Sequence, residues 1–312
     1  MESAVIEKPK PAPKAKKTMS DKWYGGLLIT PAMVIILIFA LIPLFYAVNV
    51  SFRHADLTMG GIQGWVGLNN YRTVLHEAKF WATVKTTLVF TCVAIIVEMS
   101  LGVLIAFLIY GATWGKGLIR SLVILPLATA PAVTGLFWRY LYDTQFGPFN
   151  YFISLLGLPW HPNWLGDIKL GMASLIIFDT WLWVPFVALI VLAGLQSLPK
   201  EPFEAAELDG ASTFRVLRTL TAPMLGPVLT LVFILRTIDL LRLYDSVATL
   251  TRSGPGDTTE TMTYYLYRQG LVFFRMDYAS TMALLFMFAV IVASGFALRP
   301  LLTRLAKRAG AR

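Results

Sequence analysis

The chain has 312 residues, of which 56% are hydrophobic and only 14% are charged, and its mean hydropathy is +0.65. A soluble domain of this size cannot bury so much apolar surface, so the composition excludes an ordinary globular protein and favours one embedded in a lipid bilayer. The formal net charge of +9 raises the question of nucleic-acid binding, but the placement of the basic residues argues against a nucleic-acid partner.

The basic residues gather at the two ends of the chain. Those before the first apolar segment are Lys8, Lys10, Lys14, Lys16, Lys17 and Lys22, and those after the last are Arg299, Arg304, Lys307, Arg308 and Arg312. Because positive residues accumulate on the cytoplasmic side of membrane proteins, both termini are predicted to be cytoplasmic. Residues 1–22, rich in lysine and proline, are predicted to be a disordered basic tail. Residues 301–312 are predicted to be a second basic tail.

Six apolar segments are long enough to cross a bilayer, since about 20 apolar residues span the hydrocarbon core as a helix. They lie at residues 27–50, 86–110, 118–138, 171–195, 225–247 and 279–298. An even number of spans agrees with two cytoplasmic termini. The sequence therefore predicts an all-α membrane protein, with a transmembrane domain over residues 23–300 and about six transmembrane helices.

The loop between the fourth and fifth apolar segments is polar and has the signals of two short helices. Pro202 suits the first turn of a helix, because proline has no N–H to leave unpaired there. Gly210 is placed for the left-handed turn that ends a helix, and Ser212 or Thr213 can cap the next one. Residues 199–223 are therefore predicted to form a compact helix-turn-helix.

This loop resembles the EAA loop of binding-protein-dependent ABC importers, in Glu204, Ala205, Ala206, Asp209 and Gly210. The resemblance covers most of residues 25–300. Further matches are Trp181, Trp183, Pro185 and Phe186, with stretches within residues 67–71, 138–142, 193–199 and 250–255. In these features the chain is similar to carbohydrate permeases of the maltose, glycerol-phosphate, trehalose and polyol type.

The resemblance implies a type I ABC importer permease fold in the cytoplasmic (inner) membrane of a prokaryote. It implies four kinds of neighbour: the lipid bilayer, a second homologous permease, two ATPase subunits and an extracytoplasmic solute-binding protein. The five loop residues would couple the permease to the ATPase. ATP and Mg would belong to the ATPase subunits, so no cofactor, metal or catalytic site is expected in this chain. Residues 111–117 do not fit a phosphate-binding loop, because the glycine spacing is short and the lysine is followed by glycine.

Four charged residues recur at every third position in the fifth apolar segment, where charges are costly unless they line a cavity or pair internally. They are Arg236, Asp239, Arg242 and Asp245. If they share one helix face, they form a polar stripe along a substrate path. Alternatively, they neutralise one another, or they pair with Asp179 or Glu98 on neighbouring helices.

The substrate interpretation fits a sugar or polyol, which presents polar edges and apolar C–H faces. The predicted substrate-binding residues are Trp183, Asp239, Arg242, Tyr244 and Asp245. The arginines leave open a sugar-phosphate or sulfonate, although the interleaved aspartates favour a neutral solute. A different class of function is an ATP-independent secondary transporter that uses the charged stripe, but such a carrier has no need of an EAA loop. A membrane enzyme has less support, since the chain offers no catalytic arrangement of His, Ser or paired carboxylates.

Overall fold

The computed structural model describes residues 21–309, and the chain divides into two compact units, Met1–Asn49 and Val50–Arg312. Residues 1–20 and 310–312, which belong to the two predicted tails, lie outside the described residues. The first unit is seen as most of helix α1, Asp21–Ser51, which has 31 residues and two internal prolines. Its apolar part begins at Gly26 and is long enough to cross a membrane, in agreement with the first predicted segment.

A short β-hairpin follows α1, a detail that the purely helical prediction did not contain. Strand β1 (Arg53–Asp56) pairs antiparallel with strand β2 (Gly61–Trp65). The turn between them uses Gly60, whose φ of +97° lies in the region that favours glycine. Asp277 accepts a hydrogen bond from the backbone N–H of Ala55 at 3.2 Å. This bond ties the hairpin to the beginning of the last helix.

Helices α3 (Ala78–Gly111) and α7 (Ile168–Gln196) form the centre of the second unit, and α2 (Asn69–His76) leads into α3. Both long helices contain their predicted segments and extend beyond them. At Gly102 a Cβ would stand 2.5 Å from Cγ1 of Val187, so only glycine allows this approach of α3 to α7. Small residues at such contacts matter in a bilayer, because packing rather than water exclusion holds membrane helices together.

Two buried apolar clusters lie at opposite ends of the α3–α7 pair. One includes Ile109 and Leu195, close to the C-terminal ends of the two helices. The other includes Phe90 and Phe178, nearer their N-terminal ends. The two helices therefore run in the same direction, and the clusters mark the two ends of the helical unit.

The third predicted span is a bent pair of helices. Helix α4 (Lys116–Ile124) passes through a 3-10 turn, Leu125–Ala128, and is followed by α5 (Pro131–Leu141) at an angle of 97°. Two prolines account for the break, because Pro126 and Pro131 remove backbone donors and disfavour helix in the residues before them. The described residues thus contain five long apolar helices and this bent pair, in agreement with about six spans.

The helix of the fifth predicted span is shorter at its C-terminal end than the sequence predicted. Helix α10 (Ala222–Leu241) stops before Arg242, which has non-helical φ and ψ of −98° and 14°. A π-helical turn, Val247–Thr251, begins shortly afterwards. Residues 242–244 therefore interrupt the predicted span 225–247, and a separate short helical segment begins at Asp245.

The segment that follows the π-helical turn Val247–Thr251 is held in place by ion pairs among four charged side chains. Lys79 Nζ lies 2.6 Å from Asp257 and 2.7 Å from Glu260, while Arg268 lies 2.6 Å from Glu260 and 3.2 Å from Asp257. Burial raises the pKa of Asp257, but hydrogen bonds from Lys79 and Ser253 outweigh it and hold that pKa below its usual value. The ion pairs connect the loop to the start of α3. Three further helices are α6 (Pro148–Leu155), α11 (Met262–Tyr267) and α12 (Met276–Ala309).

Candidate functional site

Residues 199–223 contain the predicted helix, left-handed turn and capped second helix. Helix α8 spans Glu201–Leu208 and has Pro202 in its first turn. Gly210 follows with φ of +69° and no atom within 4 Å of the position of a Cβ, so glycine serves the backbone conformation there. Ser212 then caps helix α9 (Thr213–Val216) by accepting a backbone N–H at 3.4 Å.

The helix-turn-helix presents a mixed polar and apolar surface. The five residues that resemble the EAA motif are Glu204, Ala205, Asp209 and Gly210, which are exposed, and Ala206, which is half-buried. Leu208 is 90% exposed and Phe214 is 72% exposed, one on each side of the turn. Apolar side chains so exposed in a polar loop are typical of a protein-binding surface. The sequence analysis missed these two, although their signal was present as large apolar residues in a charged segment.

Helix α8 also borders an apolar groove of about 930 Å³. Phe107 from α3, Phe203 from α8 and Leu225 from α10 line it, and Glu204 lies at its edge. The groove thus places the acidic residue of the motif beside the helices that form the core of the unit.

A second cavity, of about 270 Å³, lies between α5, α7 and the end of α10. It brings together all five predicted substrate-binding residues: Trp183, Asp239, Arg242, Tyr244 and Asp245. Asp179, Arg236 and Pro131 also line it, and the sequence analysis did not predict them as binding residues. The cavity therefore combines charged groups with two aromatic faces.

Arg236 lies at the back of this cavity in a buried cluster of ionisable groups. Its Nε and Nη2 donate to the two carboxylate oxygens of Glu98 at 2.8 Å each, and Nη2 also donates to Asp179 at 2.9 Å. The side chain is 1% exposed, and both carboxylates are fully buried. The guanidinium carbon lies 4.7 Å from the centre of the Trp183 ring, which gives a cation–π contact.

The structure shows which residues of the charged stripe form ion pairs. Arg236 pairs with Glu98 and Asp179, as the second interpretation allowed, and Asp239 is a more distant neighbour at 3.8 Å. The assumption of one helix face is wrong, because α10 ends at residue 241. Arg242 lies in the break after α10, and Asp245 begins the short helical segment that follows. Both are exposed, and within residues 21–309 they form no ion pair with each other. They line the cavity together with Tyr244, which lies between them in the sequence.

Tyr244 has aromatic neighbours that the sequence analysis did not single out. Its ring centre lies 5.1 Å from that of Tyr267 and 6.1 Å from that of Tyr264, and the latter two are 6.0 Å apart. The three rings form a compact group at the edge of the cavity. This group packs around Tyr244, which lines the cavity.

A multi-span helical protein with a polar cavity between its helices and an exposed helix-turn-helix at one end has the architecture of a transport permease. Residues 98–308 match the family described as binding-protein-dependent transport system inner membrane component, and the chain belongs to this family. It is accordingly a multi-pass permease of the inner membrane.

Individual relatives agree with the family assignment. The chain is 39% identical over 276 residues to a probable ABC transporter permease protein, y4oQ, of Sinorhizobium fredii, covering 88% of this chain and 87% of that one. It is 36% identical over 238 residues to the trehalose/maltose transport system permease protein MalF of Thermococcus litoralis, covering 76% and 80%.

A solved structure has the same fold. It is the crystal structure of a bacterial ABC transporter involved in the import of the acidic polysaccharide alginate. It superposes with a TM-score of 0.79 over 92% of this chain and 96% of that one, at 20% identity.

Proposed function

We propose that the chain is the permease subunit of an ATP-driven importer that carries a sugar or polyol across the inner membrane. The observation that carries this proposal is the cavity, in which Trp183 and Tyr244 offer aromatic faces beside hydrogen-bonding groups of Asp239, Arg242 and Asp245. A sugar needs this combination, because its ring has apolar C–H faces and polar edges. The trehalose/maltose permease among its relatives supports the same substrate class.

The proposed partners are the subunits that a permease of this family works with. ATP and Mg are held by two separate ATPase subunits, and the segment at residues 111–117 has neither the glycine spacing nor the hydroxyl residue of a phosphate-binding loop. A second homologous permease supplies the other half of the pathway. A solute-binding protein delivers the solute from outside, where residues 140–169 and 250–278 are the proposed contact regions, and both chain ends are cytoplasmic.

Coupling proceeds through the helix-turn-helix. Leu208 and Phe214 enter the ATPase with the motif residues around Glu204, and their burial there removes exposed apolar surface from water. Closure of the two ATPase subunits then moves α8 and α9 together. Because α9 continues through the π-helical turn Leu217–Thr221 into α10, the motion reaches the end of α10 that borders the cavity.

One observation favours a second candidate, an ATP-independent secondary transporter. The buried ionisable groups of Glu98, Asp179 and Arg236 are the kind of cluster that conducts protons or ions in such carriers. That carrier would move solute without nucleotide. It leaves the exposed surface of α8 and α9 without a role, so the ATP-driven importer explains more of the molecule.

The two candidates are separated by a charge reversal on the coupling loop. The tagged chain is purified with its partners and reconstituted in liposomes, and uptake of radiolabelled trehalose, maltose and sorbitol is measured with and without internal ATP. Glu204→Lys is expected to leave complex insertion intact and to reduce ATP-driven uptake at least tenfold, because a cation then faces a site suited to an anion. The matched control is Glu207→Lys, an exposed acidic residue one turn further along α8.

Uptake that needs no ATP, or that persists in Glu204→Lys, would reject the importer assignment. Equal losses in Glu204→Lys and Glu207→Lys would reject the specific role of Glu204. Copurification of an ATPase and a second permease, together with stimulation of ATP hydrolysis by solute and binding protein, is the positive result.

A further inference from the structure

Helix α6 turns its apolar side outward. Its polar residue Asn150 is buried, where it donates to the backbone oxygen of Pro162 at 3.1 Å and accepts from Nε1 of Trp164 at 2.9 Å. The opposite face, an arc of about 140° at 100° per residue, is apolar and exposed. Its residues are Tyr151, Phe152, Leu155 and Leu156, which are 57–74% exposed. A helix at a protein–water surface has the reverse arrangement, with its polar side outward.

The chain around α6 carries no charged side chain. Residues 144–166 contain no Asp, Glu, Lys or Arg. Three more large apolar residues beside the helix are exposed, Phe146 at 75% and Leu158 and Trp160 at 51% each. A surface that docks a water-soluble protein has a polar rim. Aromatic residues on an uncharged apolar surface are typical of the zone where a membrane protein meets lipid.

Helix α6 also reaches the level of the membrane-spanning part of α7. Phe152 and Ile153 of α6 line a hollow of about 330 Å³ together with Ile177 of α7. Ile177 lies six residues inside the apolar segment that begins at Gly171, which is about 9 Å along the helix axis. Because that segment crosses the bilayer, α6 lies beside the outermost part of the hydrocarbon core and not above it.

The hollow between α6 and α7 has an apolar lining, because its two polar side chains bond elsewhere. The hydroxyl of Tyr142 donates to the backbone oxygen of Ser174 at 3.1 Å, and Nε1 of Trp164 donates to Asn150. The rings of Tyr142 and Trp164 line the hollow beside Phe149. A sugar would find few bonding partners there, whereas an acyl chain needs none.

The face of α7 that carries Ile177 points away from the solute cavity. Ile177 is 48% exposed, and at 100° per residue it lies about 160° around the helix from Asp179, which lines the cavity. A second hollow, of about 530 Å³, shares Ile177 and includes Trp181 of α7 and Val97 of α3. The second permease supplies the other half of the pathway, so it belongs on the cavity side. Lipid is then the neighbour of the opposite side.

We propose that α6 lies in the extracytoplasmic leaflet of the membrane, with its exposed apolar face against phospholipid and an acyl chain in the hollow between α6 and α7. The inference rests on the proposed function, which places residues 140–169 outside and a second permease on the cavity side. Within residues 140–169 it assigns α6 to lipid and leaves the residues on either side of α6 to the solute-binding protein.

The position of α6 is tested with spin labels. Tyr151→Cys and Leu155→Cys, on the exposed face, are made in a Cys92→Ser background, since Cys92 is the chain's single cysteine. The purified complex is labelled with a nitroxide and reconstituted in liposomes of phosphatidylethanolamine and phosphatidylglycerol. Gln145→Cys, an exposed polar position just before α6, is the matched control, and Ile62→Cys on the exposed hairpin is the reference in water.

Collisions of the nitroxide with oxygen and with a water-soluble nickel chelate report its surroundings, because oxygen concentrates in the bilayer and the chelate stays in water. The ratio of oxygen to nickel collision rates at positions 151 and 155 is expected to exceed that at 145 and 62 severalfold. Adding the solute-binding protein should leave the ratio at 151 and 155 unchanged.

Three results would overturn the proposal. A ratio at 151 and 155 equal to that at 145 would place α6 in water. Nickel access that disappears when the solute-binding protein is added would assign the exposed face to that protein. Low access to both reagents would assign the face to the second permease.

Photo-crosslinking tests what fills the hollow. The photoreactive residue p-benzoylphenylalanine is placed at position 152, which lines the hollow, the complex is irradiated in the same liposomes, and the intact mass of the chain is measured. We expect an adduct with the mass of one phospholipid, and severalfold less of it when the same group is placed at position 145. No lipid adduct at 152, or a crosslink to a partner protein instead, would overturn the acyl-chain site.

These measurements do not depend on transport, so the two proposals fail separately. A complex that takes up no trehalose, maltose or sorbitol with ATP, but keeps the oxygen preference at 151 and 155, would reject the sugar importer and keep the lipid contact of α6. ATP-driven uptake together with water-like access at 151 and 155 would reject the lipid contact and keep the importer.

Discussion

At the level of single residues, Arg236 is the group whose removal should cost most. Replacing it with Met leaves two buried carboxylates, Glu98 and Asp179, without their only cation. Breaking a buried pair in this way costs about 3–5 kcal/mol, because the remaining charge has neither water nor a partner. We expect Arg236→Met to lower the thermal midpoint of the detergent-solubilised complex strongly, as followed by loss of the monodisperse peak after heating.

The control for this prediction changes the same position and its partners together. In the triple variant Glu98→Gln, Asp179→Asn, Arg236→Gln, no buried charge remains, and the amides can still bond one another. The thermal midpoint of the triple variant should therefore be higher than that of Arg236→Met and closer to the wild-type value. If Arg236→Met is as stable as the wild type, water reaches the cluster and compensates the carboxylates.

The candidate substrate residues show what one sequence can and cannot predict at this scale. Trp183 and Asp239 were predicted because the chain resembles carbohydrate permeases. The charged residues within the fifth apolar segment indicated the same site independently. Asp179 was considered only as an ion-pair partner, since its place in the cavity depends on Arg236, 57 residues further along the chain. Such a contact is set by the packing of α7 against α10, which residue spacing does not reveal.

At the level of the helices, the contact of α3 with α7 depends on one glycine. A methyl group at position 102 would stand 2.5 Å from Cγ1 of Val187 and 3.2 Å from the backbone nitrogen of Ala188, so the two helices must separate to accept it. Overpacking of this kind costs about 1–3 kcal/mol. Gly102→Ala is therefore expected to lower the thermal midpoint of the complex and to reduce its yield.

The same helix supplies the matched control. Gly111→Ala, at the end of α3, meets no atom within 4 Å and should leave the midpoint within experimental error. Val187→Gly removes both clashing side-chain atoms, Cγ1 at 2.5 Å and Cβ at 2.6 Å, so it should partly restore Gly102→Ala even though a glycine inside a helix costs about 1 kcal/mol by itself. If the double variant is no better than Gly102→Ala, the close approach of these two helices is not what limits stability.

Helices were easier to predict than the points where they end. Long apolar runs identify α3 and α7, because about 20 residues are needed to cross the bilayer whatever the packing. The end of α10 at residue 241 was missed, since apolar residues continue beyond it in the sequence and neither glycine nor proline marks the break. The hairpin had a signal, Gly60-Gly61 between short polar stretches, which suits a tight turn. Its polar strands gave no apolar alternation to support it.

At the level of the whole molecule, the bent pair of α4 and α5 decides the topology. Val123, near the end of α4, packs against the cluster of Ile109 and Leu195. Trp138, near the end of α5, belongs to the cluster of Phe178 at the other end of the helical unit. The pair therefore passes from one end of the unit to the other despite its 97° bend. This arrangement argues for a sixth crossing, and it argues against a re-entrant loop that returns to its own side.

The crossing is tested by placing single cysteines on either side of the pair in a Cys92→Ser background. Trp114 precedes α4 and is 86% exposed, whereas Gln145 follows α5 and is also exposed. In spheroplasts, a membrane-impermeant maleimide should label Gln145→Cys at once and Trp114→Cys only after permeabilisation, with Ile62→Cys as the external reference. Labelling of both positions from the same side would mean a re-entrant loop and five crossings. Labelling from opposite sides would give an even number of crossings, so both chain ends would share one side of the membrane. With position 62 labelled from outside, that side would be the cytoplasm, where basic residues are favoured and where ATP is available to partners of α8.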